Sequence, residues 1–168
     1  MKKVLFFAVA LTMVAGSAMA ATPGGKIGIG FLHYDAPIGA RIVMNEKVAL
    51  DVSFVFNTEN DGDRTDFNLM GAVPIRVIDT EKANLNVMPG ISFYNMGAPS
   101  GGDSSSLIEL FAALEVEYFL SPAFAVHAAH GLGVSIFSPG GDADSSTDFG
   151  TFGSNWTSLG FHFYIPQQ

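Results

Sequence analysis

Hydrophobic and polar residues alternate along most of this 168-residue chain with a period of two, the repeat of a half-buried β-strand. In 26–34 (KIGIGFLHY), Ile27, Ile29 and Phe31 take one face, with Lys26, Gly28 and Gly30 on the other. In 48–56 (VALDVSFVF), Val48, Leu50, Val52, Phe54 and Phe56 oppose Ala49, Asp51 and Ser53. In 107–120, Ile108, Leu110, Ala112, Leu114 and Val116 oppose Glu109, Phe111, Ala113, Glu115 and Glu117. A helix there would bury Glu115 beside Leu114, so the alternation selects a strand. In 156–165, Leu159, Phe161, Phe163 and Ile165 oppose Ser158, Gly160, His162 and Tyr164. Four less regular segments, 38–44, 67–78, 84–94 and 124–137, bring the predicted strands to eight. Pro74 and Pro89 fall inside two of them, so each removes a ladder bond or marks a bulge.

The predicted connections are 34–37, 45–47, 57–66, 79–83, 95–106, 121–123 and 138–155, with lengths 4, 3, 10, 5, 12, 3 and 18. In an up-and-down meander the even connections share one end, and here all of them are short. That segregation predicts an all-β fold, an eight-stranded antiparallel up-and-down transmembrane β-barrel of the bacterial outer-membrane kind. A soluble lipocalin-like barrel would match the strand number, but its apolar face would point inward. The polar face carries Gly28, Gly30, Gly90, Gly131, Gly133 and Gly160, which suits the narrow interior of eight strands. The apolar face of the four regular strands carries no Lys, Arg, Asp or Glu. Aromatic residues gather at strand ends in two belts: Phe31, Tyr34, Phe56, Phe67, Phe93 and Trp156 towards the long loops, Tyr118, Phe124 and Phe163 towards the short turns.

Composition narrows the partners. Eight Lys+Arg against 16 Asp+Glu give a net charge of −8, which argues against nucleic acid. There is no cysteine for disulfides, thiolate metal sites or nucleophilic thiols. Charged residues make up only 14%, yet no run of 18 apolar residues follows the first twenty. Those twenty read as a cleaved signal peptide: Lys2 and Lys3, an apolar stretch from Val4 to Ala15, then Ala18-Met19-Ala20. The expected organisation is a signal peptide over 1–20 and a barrel domain over 21–168. Loss of the two lysines takes the net charge from −8 to −10.

The chain resembles the small eight-stranded outer-membrane barrels of the OmpA, OmpX and OmpW type, the porin-like β-barrel domains. The resemblance covers 25–165 and is closest in the hairpin APIGARIVMNEKVALDVSFVF (36–56). It implies a fold and an outer-membrane location, and hardly any particular activity. The family usually ends on an aromatic residue, whereas this chain ends Phe163-Tyr164-Ile165-Pro166-Gln167-Gln168.

Odd strands run from the short turns towards the long loops, which gives each inward residue a depth. Lys26, Asp51, Arg76, Glu115, Glu117, His127 and His162 fall in the short-turn half, with Arg41 near mid-depth. Three bases facing three acids, with two histidines beside them, predict an ion-pair plug, because an unpaired buried ion costs several kcal/mol. A proton-sensitive gate is the functional alternative, since histidine titrates near neutrality. Above the plug, Gly28, Gly30, Leu32, Val55, Met70, Tyr94, Phe111, Gly131 and Gly133 are expected to pack closely rather than line a pocket.

His130 falls on the outward face between Ala128 and Leu132, and the nearest outward hydroxyl is Thr157. A Ser–His–acid site would need an outward serine and carboxylate, so no enzyme, cofactor or metal is expected. The loops are acidic: Glu59, Asp61, Asp63 and Asp66 surround Arg64, and Asp142, Asp144 and Asp148 lie in the longest loop. Asn57-x-Glu59-x-Asp61-Gly62 is like the start of a calcium loop, but its twelfth position is Asn68 where glutamate is needed. Glu59, Asp61, Asp63, Asp142 and Asp144 stay candidates for contacts with the divalent cations that bridge lipopolysaccharide. The 138–155 loop is expected to be mobile and without structure of its own. The resulting expectation is a monomeric barrel in the outer membrane, with lipid and lipopolysaccharide as neighbours and a structural or surface-interaction role. An extracellular partner would use loops 57–66, 95–106 and 138–155. The alternatives are a narrow channel or small hydrophobic-ligand transporter, and a soluble periplasmic lipocalin-like binder.

Overall fold

The computed structural model describes residues 25–59, 64–98, 102–151 and 157–165. The expected signal peptide, Asp61, Asp63 and Trp156 lie outside the described residues. Ten strands follow in order: β1 (Ile27–Phe31), β2 (Ile38–Val43), β3 (Ala49–Glu59), β4 (Arg64–Ala72), β5 (Ile75–Asp79), β6 (Ala83–Met96), β7 (Ser105–Ser121), β8 (Phe124–Ser138), β9 (Ser146–Gly150) and β10 (Ser158–Ile165). They form eight staves of a closed antiparallel barrel, because β4 and β5 both pair with β6, and β9 and β10 both pair with β8. Closure comes from β10, which pairs with β1 on one side and β8 on the other.

The register fixes the shape of the barrel. From Phe31, the partners through β2, β3, β4 and β6 lead to Ile108 on β7. The partners through β10 and β8 lead instead to Tyr118, ten residues further along the same strand. Eight strands with a stagger of ten tilt by about 40° and leave a lumen only wide enough for side chains.

Two predicted elements differ in detail. The expected strand 67–78 is broken into β4 and β5, with Val73 and Pro74 between them. Pro89 lies on β6 opposite this break, and its carbonyl accepts the Val73 N–H at 2.9 Å. Two residues without an N–H therefore meet at one point of the ladder, and one of the two strands gives way there. The 138–155 segment, expected to lack structure, contains β9, whose residues Ser146–Gly150 pair with Phe137–Gly133 of β8. The other two long loops are shorter than expected, since β3 runs on to Glu59 and β4 starts at Arg64, while β6 reaches Met96 and β7 starts at Ser105.

Side chains alternate in and out as the period-two pattern requires. On β7, Glu109, Phe111, Ala113, Glu115 and Glu117 are buried, and Ile108, Leu110, Leu114 and Val116 are exposed. The middle of the lumen is filled by Ala36, Met70, Ala72, Met88, Phe111, Ala113 and Ala129. Glycines give those side chains room: a Cβ on Gly90 would strike the Phe111 ring, and one on Gly160 would strike the Phe31 carbonyl and the His127 ring. Gly160→Ala should therefore lower stability by about 1–3 kcal/mol. Gly71, where a Cβ would meet nothing within 4 Å, should tolerate alanine within about 0.5 kcal/mol. Urea titration of the two refolded variants against the parent checks both.

Candidate functional site in the barrel lumen

The short-turn half of the lumen holds one cation against three carboxylates. Arg41 points inward from β2, and its Nε and Nη2 donate to both oxygens of Asp51 on β3, at 2.7 and 2.6 Å. The same Nη2 donates to Glu115 Oε2 at 2.7 Å, and Nη1 to Glu117 Oε1 at 3.2 Å. Asp51 neighbours Arg41 along the wall, whereas Glu115 and Glu117 come from β7, so the guanidinium ties separate staves across the lumen. All four groups are buried.

Neutral donors complete the network. Asn86 donates to Glu115 Oε1 at 2.7 Å, and Asn84 to Glu117 Oε2 at 3.1 Å. The Tyr164 hydroxyl donates to Glu117 Oε1 at 2.6 Å. Every carboxylate oxygen of Asp51, Glu115 and Glu117 thus accepts at least one bond, the condition under which a buried polar network is stable. Beside it, His127 and His162 stack with ring centroids 4.6 Å apart. His127 Nε2 lies 3.0 Å from the Leu32 carbonyl, which can only accept, so Nε2 carries the proton. His162 is fully buried, with Nδ1 3.8 Å from Glu117 Oε1.

Six of the eight residues expected in the plug are therefore brought together: Arg41, Asp51, Glu115, Glu117, His127 and His162. Lys26 is not, and this is a correction. It is exposed and precedes β1, so its ammonium is at the rim, where a long flexible stem keeps the charge in water. Arg76 is a second correction. Its Nη1 lies 3.5 Å from Asp79 Oδ2 rather than on the cluster's acids. It stays opposite Asn86, in the register that β4 keeps with β6, but its guanidinium turns to Asp79 at the short-turn end of β5. There it lines, with Arg41, Lys47, Asn86, Glu117 and Tyr164, a cavity of about 20 Å³, room for roughly one water.

Asn84, Asn86 and Tyr164 were absent from the expected plug, although the alternation in ANLNV and in HFY already places them inward. Glu109, higher on β7, forms a separate polar layer, accepting from Ser92 Oγ at 2.9 Å and Ser135 Oγ at 3.4 Å. At the long-loop rim, Arg64 donates to Asp66 at 3.1 and 3.0 Å and lies 3.7 Å from Glu59. The Asp66 hydrogen bonds raise the Arg64 pKa above its ordinary value. Asp66 also accepts the Gly97 N–H at 2.8 Å, which links two long-loop connections. Asp142 and Asp144 are exposed. Among the described residues, no group of three or more His, Asp or Glu is placed to hold a metal ion. His130 is on the outer wall, with Nδ1 3.0 Å from Thr157 Oγ1.

No protein-family model, no curated protein and no solved structure matches the chain.

Replacing Arg41 by methionine would leave three carboxylates in a closed space without their cation. Arg41→Met should cost about 3–5 kcal/mol. Tyr164→Phe, which removes one neutral donor to a charged acceptor, should cost about 1.5–3 kcal/mol. Denaturant unfolding of both variants, followed by tryptophan fluorescence, provides the measurement.

Proposed function

We propose that this protein is a closed β-barrel of the bacterial outer membrane, with a structural or surface-interaction role. The observation that carries the reading is its inverted facing. Leu159 is 75% exposed and Leu114 57%, whereas Arg41 is 2% and Glu115 1% exposed. A water-soluble barrel would have the reverse order, since burying apolar surface is the main force that folds it. Lipid makes the same arrangement favourable. The outward apolar positions of β7 run from Ile108 to Leu120, which at a tilt of about 40° spans roughly 30 Å, comparable with the apolar band of an outer-membrane barrel.

The lumen supports the closed form over a channel. Between the Arg41 cluster and the Glu109 layer, Met70, Met88, Phe111 and Ala113 are buried, the two methionines completely. Leu32 and Ala36, from the connection between β1 and β2, are fully buried as well. An ion crossing this layer would lose its hydration with nothing to replace it. The resemblance to OmpA-, OmpX- and OmpW-type barrels, and the expected signal peptide over 1–20, fit the same compartment. A cell-envelope role exercised through loops and rim then follows from what is left outside the bilayer.

Membrane fractionation with boiled and unboiled gel samples tests the reading. The expected result is a sarkosyl-insoluble band that shifts on boiling, together with no resolvable conductance in planar bilayers. A soluble periplasmic band without a shift would overturn it. In refolded bilayers, Leu114→Arg should cost about 2–4 kcal/mol, the range for a cation on the lipid face near mid-depth.

A further inference from the structure

We infer that the outer wall around His130 and Thr157 is the contact through which two copies of this chain associate in the membrane, an inference that rests on the membrane reading above. The two residues are lateral neighbours: Ser158 of β10 pairs with Ala129 of β8, which sets Thr157 beside His130. Both are exposed, and His130 Nδ1 lies 3.0 Å from Thr157 Oγ1. Their depth is what demands a reason. Leu114 is the middle member of the outward row from Ile108 to Leu120, and His130 is its partner on β8. Every other outward side chain between Leu110 and Val116 on β7, Val126 and Val134 on β8, and Leu159 and Phe161 on β10 is Ala, Val, Leu or Phe. A polar pair thus stands in the centre of an apolar band, where lipid can satisfy no hydrogen bond.

The bond between them leaves capacity over, whichever tautomer the imidazole adopts. If the Thr157 hydroxyl donates to Nδ1, the Nε2–H of His130 is an unmet donor and the hydroxyl oxygen can still accept. If Nδ1–H donates to Thr157, Nε2 is an unmet acceptor and the hydroxyl proton an unmet donor. Among the described residues, Nε2 has no hydrogen-bond partner. The patch therefore offers one donor and one acceptor in both states, which makes it complementary to itself.

Symmetry selects the occupant. Two barrels inserted the same way round are related by a two-fold axis along the membrane normal, and that axis exchanges left and right on facing walls. His130 and Thr157 lie side by side, so an axis between them sets His130 against the partner's Thr157 and Thr157 against the partner's His130. The contact is isologous and makes two bonds across hydrocarbon. Ala128 follows His130 in the outward row of β8, and Ala112 lies diagonally across on β7, so small side chains let the walls approach. Staves tilted by about 40° in each copy cross at about 80°, which centres the contact on this one point. It lies at mid-wall, away from the acidic rim, and its small area suits reversible association.

The test is thiol cross-linking of the full chain in washed membranes. The protein has no cysteine, so one introduced thiol reports one position. Ala128→Cys treated with a short bismaleimide should give a band at twice the chain mass, and Leu69→Cys, on β4 at the far side of the barrel, should not. In the Ala128→Cys background, His130→Leu and Thr157→Val should each lower the dimer about tenfold, the equivalent of two hydrogen bonds of the strength found between membrane segments. Neither variant should unfold more readily in denaturant, because each puts an apolar side chain against lipid. Mixed in one membrane, the two single variants regain one of the two bonds, so they should cross-link to each other about threefold more than either does to itself. No dimer at Ala128→Cys, equal dimer at Leu69→Cys, an adduct of any other mass, an unchanged yield in the variants, or no gain on mixing would overturn the proposal. Failure of the membrane reading is seen separately, as absence of the chain from the membrane fraction before any cross-linker is added.

Discussion

The guanidinium of Arg41 is the point on which the interior depends. An eight-stranded barrel with a stagger of ten has no room for bulk water at its centre, so a charge placed inside must be met inside. Arg41 meets Asp51, Glu115 and Glu117 with four hydrogen bonds between 2.6 and 3.2 Å, from β2 to β3 and to β7. That one side chain converts neighbouring staves and separated ones into a cross-braced ring. Three carboxylates on one cation leave acceptor capacity over, and this is why Asn84, Asn86 and Tyr164 surround the cluster. Gly28 and Gly160 belong to the same solution, since a Cβ on either would press on Tyr164 or His127 and move a member of the network.

Layering then determines what the lumen can do. Ionic and amide groups fill the short-turn half, methionine, alanine and phenylalanine the middle, and Glu109 with two serines the part above. Polar layers alone would allow a wet path, but the dry layer between them interrupts it. Opening that path would require repacking Met70, Met88 and Phe111 together. The interior consequently supports the wall and leaves interaction to surfaces outside it.

The period-two pattern carried the facing of β1, β3, β7 and β10 in full, because each registers directly against a face of different polarity. It also brought Arg41, Asp51, Glu115, Glu117, His127 and His162 to one side of the wall. It failed at strand ends. Lys26 has the correct parity for the lumen, yet β1 begins one residue later, and whether a terminal residue is inside depends on its neighbours' length rather than on its own alternation. Arg76 has inward parity opposite Asn86 as well, but its guanidinium pairs with Asp79 near the turn and not with the cluster's acids, a choice of partner that alternation does not encode. β9 was illegible for another reason: SSTDFG contains no alternation of apolar residues, and its strand conformation comes from pairing with Phe137–Gly133 of β8. The amide donors were readable by parity but uncharged, so a count of bases against acids passed over them.

The unequal wall adds a constraint that alternation does not carry. A free strand edge invites pairing with any exposed β-segment, and folded proteins suppress this with charge, polar side chains or short edges. Here Val55–Glu59, paired with β4, and Ser146–Gly150, paired with β8, are short, and Asn57, Glu59, Ser146, Thr147 and Asp148 make them polar. Two copies of such an edge would bring acid against acid, which disfavours self-association. At the rim itself the acidity is partly met by the chain's own cation, since Arg64 lies 3.0 Å from Asp66 and 3.7 Å from Glu59.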